Sequence, residues 1–215
     1  MKLPFSVEQF FEVFGRYNQA VWPAQIVLVV LGVVAFGLVF SKRTGAARLL
    51  SAILALLWAW MAIAYHLVFF AAINPVARVF GLIFLVQAWL FSAAGVVRPR
   101  LVFGPVSTVR TVVGSALVLY ALVFYPLLGY LAGHRYPETP TFGVPCPTTI
   151  LTLGLLLFAR SPFPRYLYFI PLLWSGVGSF AAFNLGVPQD LGLLAAGVLG
   201  GVAWALPQRV SPSPA

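Results

Sequence analysis

Charge is what this sequence has least of. Only 8% of its 215 residues are charged and just four are acidic, whereas a soluble domain carries roughly a quarter charged residues. A water-soluble chain of this length could not cover its surface with so few. There is one cysteine, Cys146, which excludes an internal disulfide and any CxxC metal or redox motif and leaves the redox compartment undefined. The two histidines, His66 and His134, make no HExxH pair. GxxxxGK[ST] and GxGxxG turns are also missing, so the soluble-enzyme motifs are absent and an enzyme is not the favoured reading. No lysine follows Lys42, which removes the Schiff-base residue that a seven-helix retinal protein needs in its last span.

What is present is apolar. Hydrophobic residues make up 61% of the chain and come in blocks of about 18–25, the length that crosses about 30 Å of hydrocarbon. The expected fold class is all-α: a polytopic helical membrane bundle of about seven spans, near 22–40, 46–70, 76–97, 111–132, 148–160, 165–185 and 189–207. Residues 22–207 then form a single membrane domain, with an N-terminal amphipathic interfacial helix at 1–21 and a short cytoplasmic tail at 208–215.

The charges divide cleanly on that threading. Lys42, Arg43, Arg48, Arg98, Arg100, Arg110, Arg160, Arg165 and Arg209 fall on one side; Lys2, Arg16, Arg78 and Arg135 fall on the other, balanced by Glu8, Glu12, Glu138 and Asp190. The net charge of +9 therefore belongs to one face, which the positive-inside rule makes cytoplasmic. The expected location is the bacterial plasma (inner) membrane, with the N-terminus outside and the C-terminus in the cytoplasm. The basic balance is an orientation signal, so the expected partner is the lipid bilayer and not nucleic acid. Gly192, Ala196, Gly197, Gly200 and Gly201 give the last span a small-residue stripe, suited to close helix packing or to a homo-oligomer.

Before the first span, Ser6 and Gln9 have capping-box spacing, and Phe5 with Phe10 have staple spacing. Val7, Phe10, Phe11, Phe14, Tyr17 and Val21 recur on one helical face opposite Glu8, Glu12, Arg16 and Gln19. This predicts an amphipathic helix lying in the interface, with a lid over an outer site as the other use of the same face. A charged n-region and small-residue cleavage site are missing, so no cleavable signal peptide is expected.

Polar side chains inside spans are costly and often functional. The candidates for an outward vestibule are Tyr65, His66, Asn74, Gln87, Tyr125, Cys146 and Thr149. For Gln87 the bland alternative is a helix-to-helix hydrogen bond, worth only about 0.6–2 kcal/mol. Pro126 and Pro171 are expected to kink their helices, and Asp190 stands where an acid stabilises a helix N-terminus.

TFGVPCPTTI, residues 141–150, opens the fifth span. From Thr148 to Arg160 there are 13 residues, about 20 Å of helix, too short to cross alone. Either Arg160 snorkels, or TFGVPCP dips into the membrane as extended, re-entrant chain. Pro147 suits a first helical position, which makes Cys146 the N-cap and sets its thiol at a positive helix end that favours thiolate. The competing reading is a small buried hydrophobe in a loop plug.

The segments YNQAVWPAQ (17–25), AYHLVFFAAINP (64–75) and TFGVPCPTTI resemble a family of bacterial multi-pass membrane proteins catalogued only as a domain of unknown function. The resemblance runs over most of the chain and implies a multi-pass membrane protein, with no activity, ligand or site attached. All three segments fall on the outer side of the threading, so they are expected to converge there. Three functions remain open: a small-solute or ion transporter or channel, a redox or metal- or haem-handling protein using His66, His134 and Cys146, and a non-catalytic sensor or partner subunit. No cofactor is expected, and a metal is left undecided.

Overall fold

Along the helix Ala24–Val39, Gln25, Leu28, Gly32, Ala35 and Val39 are buried, at alternating spacings of three and four. Ile26, Val27, Val30, Val33 and Val34 are exposed by between 40% and 58%. The seam of a water-soluble helix has polar residues opposite it; here the opposite face is as apolar as the seam. Val109, Val112, Leu131, Phe169, Phe180 and Phe183 extend that outward apolar surface around the molecule. Lipid is the solvent this pattern fits.

The computed structural model describes residues 4–206; Lys2, Arg209 and the expected tail at 208–215 lie outside the described residues. Within them there are eight helices and no named strand. They are α1 (Val7–Val21), α2 (Ala24–Val39), α3 (Ala46–Ala72), α4 (Ala77–Val97), α5 (Thr108–Leu131), α6 (Pro145–Leu156), α7 (Arg165–Leu185) and α8 (Leu191–Ala205). The chain is an all-α bundle, and seven spans is an approximate count. Four helices (α3, α4, α5 and α7) are long and apolar enough to cross a membrane, and a fifth span results if α1 and α2, bent by 89°, are taken together. Helices α2, α6 and α8 have only 16, 12 and 15 residues.

The shortest helix is the centre. Every residue of α6 except Cys146 is buried. Around it α2, α3, α4, α7, α8 and α5 follow one another as neighbours, and α2, α3, α5, α7 and α8 pack against it directly. Gly114 of α5 and Gly154 of α6 make the closest of these approaches: a Cβ on Gly114 would lie 2.9 Å from the Gly154 carbonyl, and one on Gly154 would lie 3.0 Å from the Gly114 carbonyl. Trp58 Nε1 of α3 donates to Thr152 Oγ1 at 3.1 Å, and Thr152 donates in turn to the Thr148 carbonyl at 2.8 Å. Because other helices sheathe α6, its length need not match the hydrocarbon thickness.

Two expectations about this segment are corrected. The helix starts at Pro145, with Val144 as an extended N-cap (φ −86°, ψ 166°), so Cys146 lies within the first turn. A proline tolerates any of the first positions, where the backbone N–H has no intrahelical partner, so Pro145 takes the start and Pro147 follows inside it. The helix also stops at Leu156. Beyond it the exposed Arg160 guanidinium reaches the Pro105 carbonyl at 3.5 Å. Upstream of α6, Gly143 lets the chain pass close to α2, with φ at +100° and no room for a Cβ beside Leu28.

Pro126 follows a π-helical turn, Tyr120–Phe124, which absorbs the missing hydrogen bond as a local widening. Pro171 does not break its helix, which runs as one span from Arg165 to Leu185. It is the third residue of the α-helical stretch Phe169–Leu185, after a 3₁₀ turn at Arg165–Tyr168, where no N–H is needed.

The two ends of the bundle are distinct. At the basic end the 98–107 and 157–164 loops join, Arg160 N donating to the Val102 carbonyl at 2.8 Å and Gly104 N to the Phe158 carbonyl at 3.0 Å. Arg48 and Arg165 there hydrogen-bond the carbonyls of Val96 and Leu206. At the other end α1 lies across the bundle. Its capping box is formed, Gln9 N donating to Ser6 Oγ and Ser6 N to Gln9 Oε1, and the Phe5 and Phe10 rings stack at 6.0 Å.

The small-residue stripe of α8 packs inside the chain. A Cβ on Gly197 would collide with Ser175 of α7, and one on Gly192 with the Tyr120 ring of α5, whereas one on Gly201 meets nothing closer than Leu172 at 3.9 Å. Gly197→Leu should therefore lower detergent-solubilised stability by about 1–3 kcal/mol, the usual cost of overpacking. Gly201→Leu should leave the melting curve close to wild type. Equal melting of the two variants would mean that α7 and α8 are not in this register.

Candidate functional site

Amphipathic α1 packs part of its apolar face on the bundle. Val13, Phe14 and Tyr17 are buried, and Phe14 stacks on Tyr65 of α3 at 5.6 Å. The residue that ties α1 down is Asn18, which is fully buried. Its amide nitrogen donates to the carbonyls of Pro137 (2.6 Å) and Thr139 (2.8 Å), and its oxygen accepts from Thr141 Oγ1 at 2.7 Å. The Asn18 carbonyl accepts from Gln25 Nε2 at 2.8 Å, and Tyr17 Oη accepts from Trp60 Nε1 at 2.8 Å. The Asn18 amide and the Tyr17 hydroxyl are thus satisfied by the 137–141 loop and by α3, whereas Gln25 Oε1 is buried without a partner.

Beneath α1 lies a cavity of about 320 Å³. Phe5, Phe10 and Phe14 cover it; Tyr65, Phe70 and Phe80 form one side, and Trp174, Gly178 and Ala181 of α7 another. Val144, Pro145, Cys146, Tyr125 and Asp190 close the base. Tyr65 comes from a nine-residue π-helical stretch, Met61–Phe69, a widened turn of the kind that recurs at functional sites. Asn74, at the turn into α4, lines the rim and accepts from Val76 N at 3.2 Å.

The base holds the polar chemistry. Tyr125 Oη donates to Asp190 Oδ1 at 2.6 Å, and the Cys146 thiol lines the same part of the cavity. The neighbouring Tyr120 donates to the Gln189 carbonyl at 2.7 Å. Asp190 precedes α8, as expected, but its side chain makes no cap hydrogen bond; it turns into the cavity instead. Cys146 therefore does not have the α6 helix end to itself, since a carboxylate shares it. Trp174 Nε1 is buried without a hydrogen-bond partner, close to the Cys146 sulfur.

Of the seven candidates read from the sequence, the fold brings Tyr65, Asn74, Tyr125 and Cys146 to one cavity. The other three lie behind its walls. His66 is fully buried, with both ring nitrogens unpartnered, among the rings of Phe70, Phe80, Phe84 (4.8 Å) and Trp174 (5.3 Å). Gln87 donates to the Leu167 carbonyl at 3.0 Å, the bland helix-to-helix bond. Thr149 is buried within α6. His134 stands apart, 3.1 Å from the Gln189 amide and against the Phe11 ring. No group of three or more His, Cys, Asp or Glu side chains that could hold a metal occurs among the described residues. The set His66, His134 and Cys146 does not assemble.

Asp190 and Trp174 were not among the candidates, whereas the aromatic cover from α1 matches the lid offered as the second use of its apolar face. Asp190 did carry a signal: it is the one acid beside an apolar span rather than in a polar loop or on a polar helix face. The other three acids are exposed, whereas Asp190 is buried.

The three segments that carry the family resemblance converge at this end, Tyr17 against Tyr65 at 5.6 Å and Asn18 against Thr141. A family described as "Family of unknown function (DUF6064)" matches residues 7–213. The chain belongs to that family. No curated protein and no solved structure matches it. Within this DUF6064 chain, then, the geometry of the cavity itself must carry the functional argument.

Two measurements test this description. Cys146 should be alkylated in the folded protein by reagents small enough for the cavity and spared by bulky ones, and Phe14→Ala should speed the bulky reagent by thinning the cover. A thiol equally inert to both sizes, in wild type and variant alike, would remove Cys146 from the cavity wall. The second concerns His134, whose imidazole is held below its ordinary value of 6.5, chiefly by burial, with the Gln189 side chain offsetting part of the effect. A base lowered in the fold binds its proton more readily unfolded, so stability falls as pH drops from about 6.5 towards the lower folded value. The melting temperature should decline over that window, and His134→Gln should flatten part of the decline.

Proposed function

We propose that this is an integral membrane protein that binds a small, largely apolar molecule in the cavity under α1, taken from the outer side of the membrane. The observation that carries the reading is a preformed aromatic cavity with a few convergent polar groups at its base, the usual form of a small-molecule site. Below that base α6 is packed on every side: Ile150, Leu151, Leu153, Leu155 and Leu156 have no solvent exposure. This favours a pocket over an open pore. The family match supports membership of DUF6064 and is silent on activity.

Transport of the bound molecule is the second reading, and α6 favours it. A short buried helix that begins at a binding cavity resembles the discontinuous helices around which transporters build their sites. The π-helical turns in α3, α4 and α5 add places where a helix can shift register. Passage to the basic end would require α6 to move relative to the ring.

Orientation is proposed from charge, with the basic end cytoplasmic in a bacterial inner membrane. In a Cys146→Ala background, cysteines placed at Arg98 or Pro162 should be protected from an impermeant reagent in whole cells, and one at Glu138 should be labelled. Labelling at Arg98 from outside would invert the protein and place the cavity on the cytoplasmic side. For binding, native mass spectrometry of the purified chain should find a small co-purifying molecule, lost from Ala181→Trp, which fills the cavity. An adduct retained by that variant would place the molecule elsewhere.

A further inference from the structure

Resting on the cavity reading above, we propose that the occupant is a lipophilic organic cation, an amine or quaternary ammonium on an apolar body, with Asp190 as its counter-ion. Asp190 is only 5% exposed. The groups that face its carboxylate are neutral: the Tyr125 hydroxyl and the Cys146 thiol. No Lys or Arg lines the cavity. A buried carboxylate is costly unless it is paired, and the Tyr125 bond satisfies only part of its capacity. A cation bound in the cavity supplies the missing charge.

The walls suit the same ligand. Phe14, Tyr65 and Phe70 stack in series, at 5.6 Å for each neighbouring pair. Where two walls of the cavity join, Phe80 and Trp174 meet edge to face at 5.3 Å. Aromatic faces attract organic cations through the ring quadrupole, and more strongly where water is excluded. A hard metal ion is a poorer fit, because it needs six or more oxygen ligands and Asp190 is the sole carboxylate among the lining residues. A neutral apolar molecule would fill the walls and leave the carboxylate unpaired.

The test is a matched pair of probes on the purified full-length chain: benzyltrimethylammonium and neopentylbenzene, its neutral carbon isostere. Protection of Cys146 from alkylation reads occupancy, and the melting temperature reads it independently. The cation should protect at a concentration at least about tenfold below that of the isostere, since it alone gains the carboxylate and cation–π terms. Asp190→Asn should abolish that preference, while Tyr125→Phe, which keeps the carboxylate, should retain it. Should Asp190→Asn fail to fold, loss of the preference in Tyr125→Phe would count against the proposal, and its retention for it. Equal protection by both probes overturns the cation proposal and leaves the cavity standing. Protection by neither overturns both, as does protection that persists unchanged in Ala181→Trp.

Discussion

A helix of 12 residues covers about 18 Å, and hydrocarbon tolerates no open backbone beyond its ends. The enclosure of α6 answers that constraint, and the rest of the architecture follows from it. Six helices close around it, and glycines at 114 and 154 let α5 and α6 approach backbone to backbone. Ser175 and Tyr120 occupy space that any side chain on α8 at 197 or 192 would take. The chain reaches α6 through the extended 141–144 segment, whose polar groups are tied to Asn18 and whose tight turn needs the glycine at 143. Shorten the central helix and both of its ends must lie inside the protein. At one end, the space left over is the cavity.

That origin explains the cavity's chemistry. The inner end of α6 is walled by what neighbouring helices present there, mostly aromatic side chains near the end of the bundle. Asp190 joins them because the 3₁₀ turn at Pro188–Asp190 sets α8 starting beside Tyr125. The α1 helix then covers the opening with its phenylalanines. The polar network of Asn18 holds it on the protein.

Much of the fold was legible in the sequence. The expected spans coincide with α2 to α8 to within a few residues at most boundaries, because each block is fixed by its own transfer free energy. The capping box and the aromatic staple of α1 were likewise readable, being contacts between residues three and five positions apart. The errors cluster at prolines. Pro145 and Pro147 both suit a first helical turn, and local rules alone did not favour the earlier start. Pro171 reads as a kink only if the preceding turn is taken as α-helix. The candidate site was half legible: Tyr65, Asn74, Tyr125 and Cys146 meet, whereas His66, Gln87 and Thr149 point into packed interiors. Polarity within a span marks a residue as costly, but not whether a cavity or a neighbour meets the cost.

By itself the sequence determined the solvent, the approximate set of helices and the division of charge between two ends. These are sums over individual segments, and neither packing order nor helix rotation alters them. Only the tertiary structure decided which helix lies at the centre, that α1 packs across the end of the bundle, and that Asp190 faces Tyr125 and Cys146. A rotation of α5 or α8 by a quarter turn would keep every local preference and scatter those groups. Their meeting depends on side-chain packing between residues 44 to 65 positions apart, which leaves no periodic trace in the sequence.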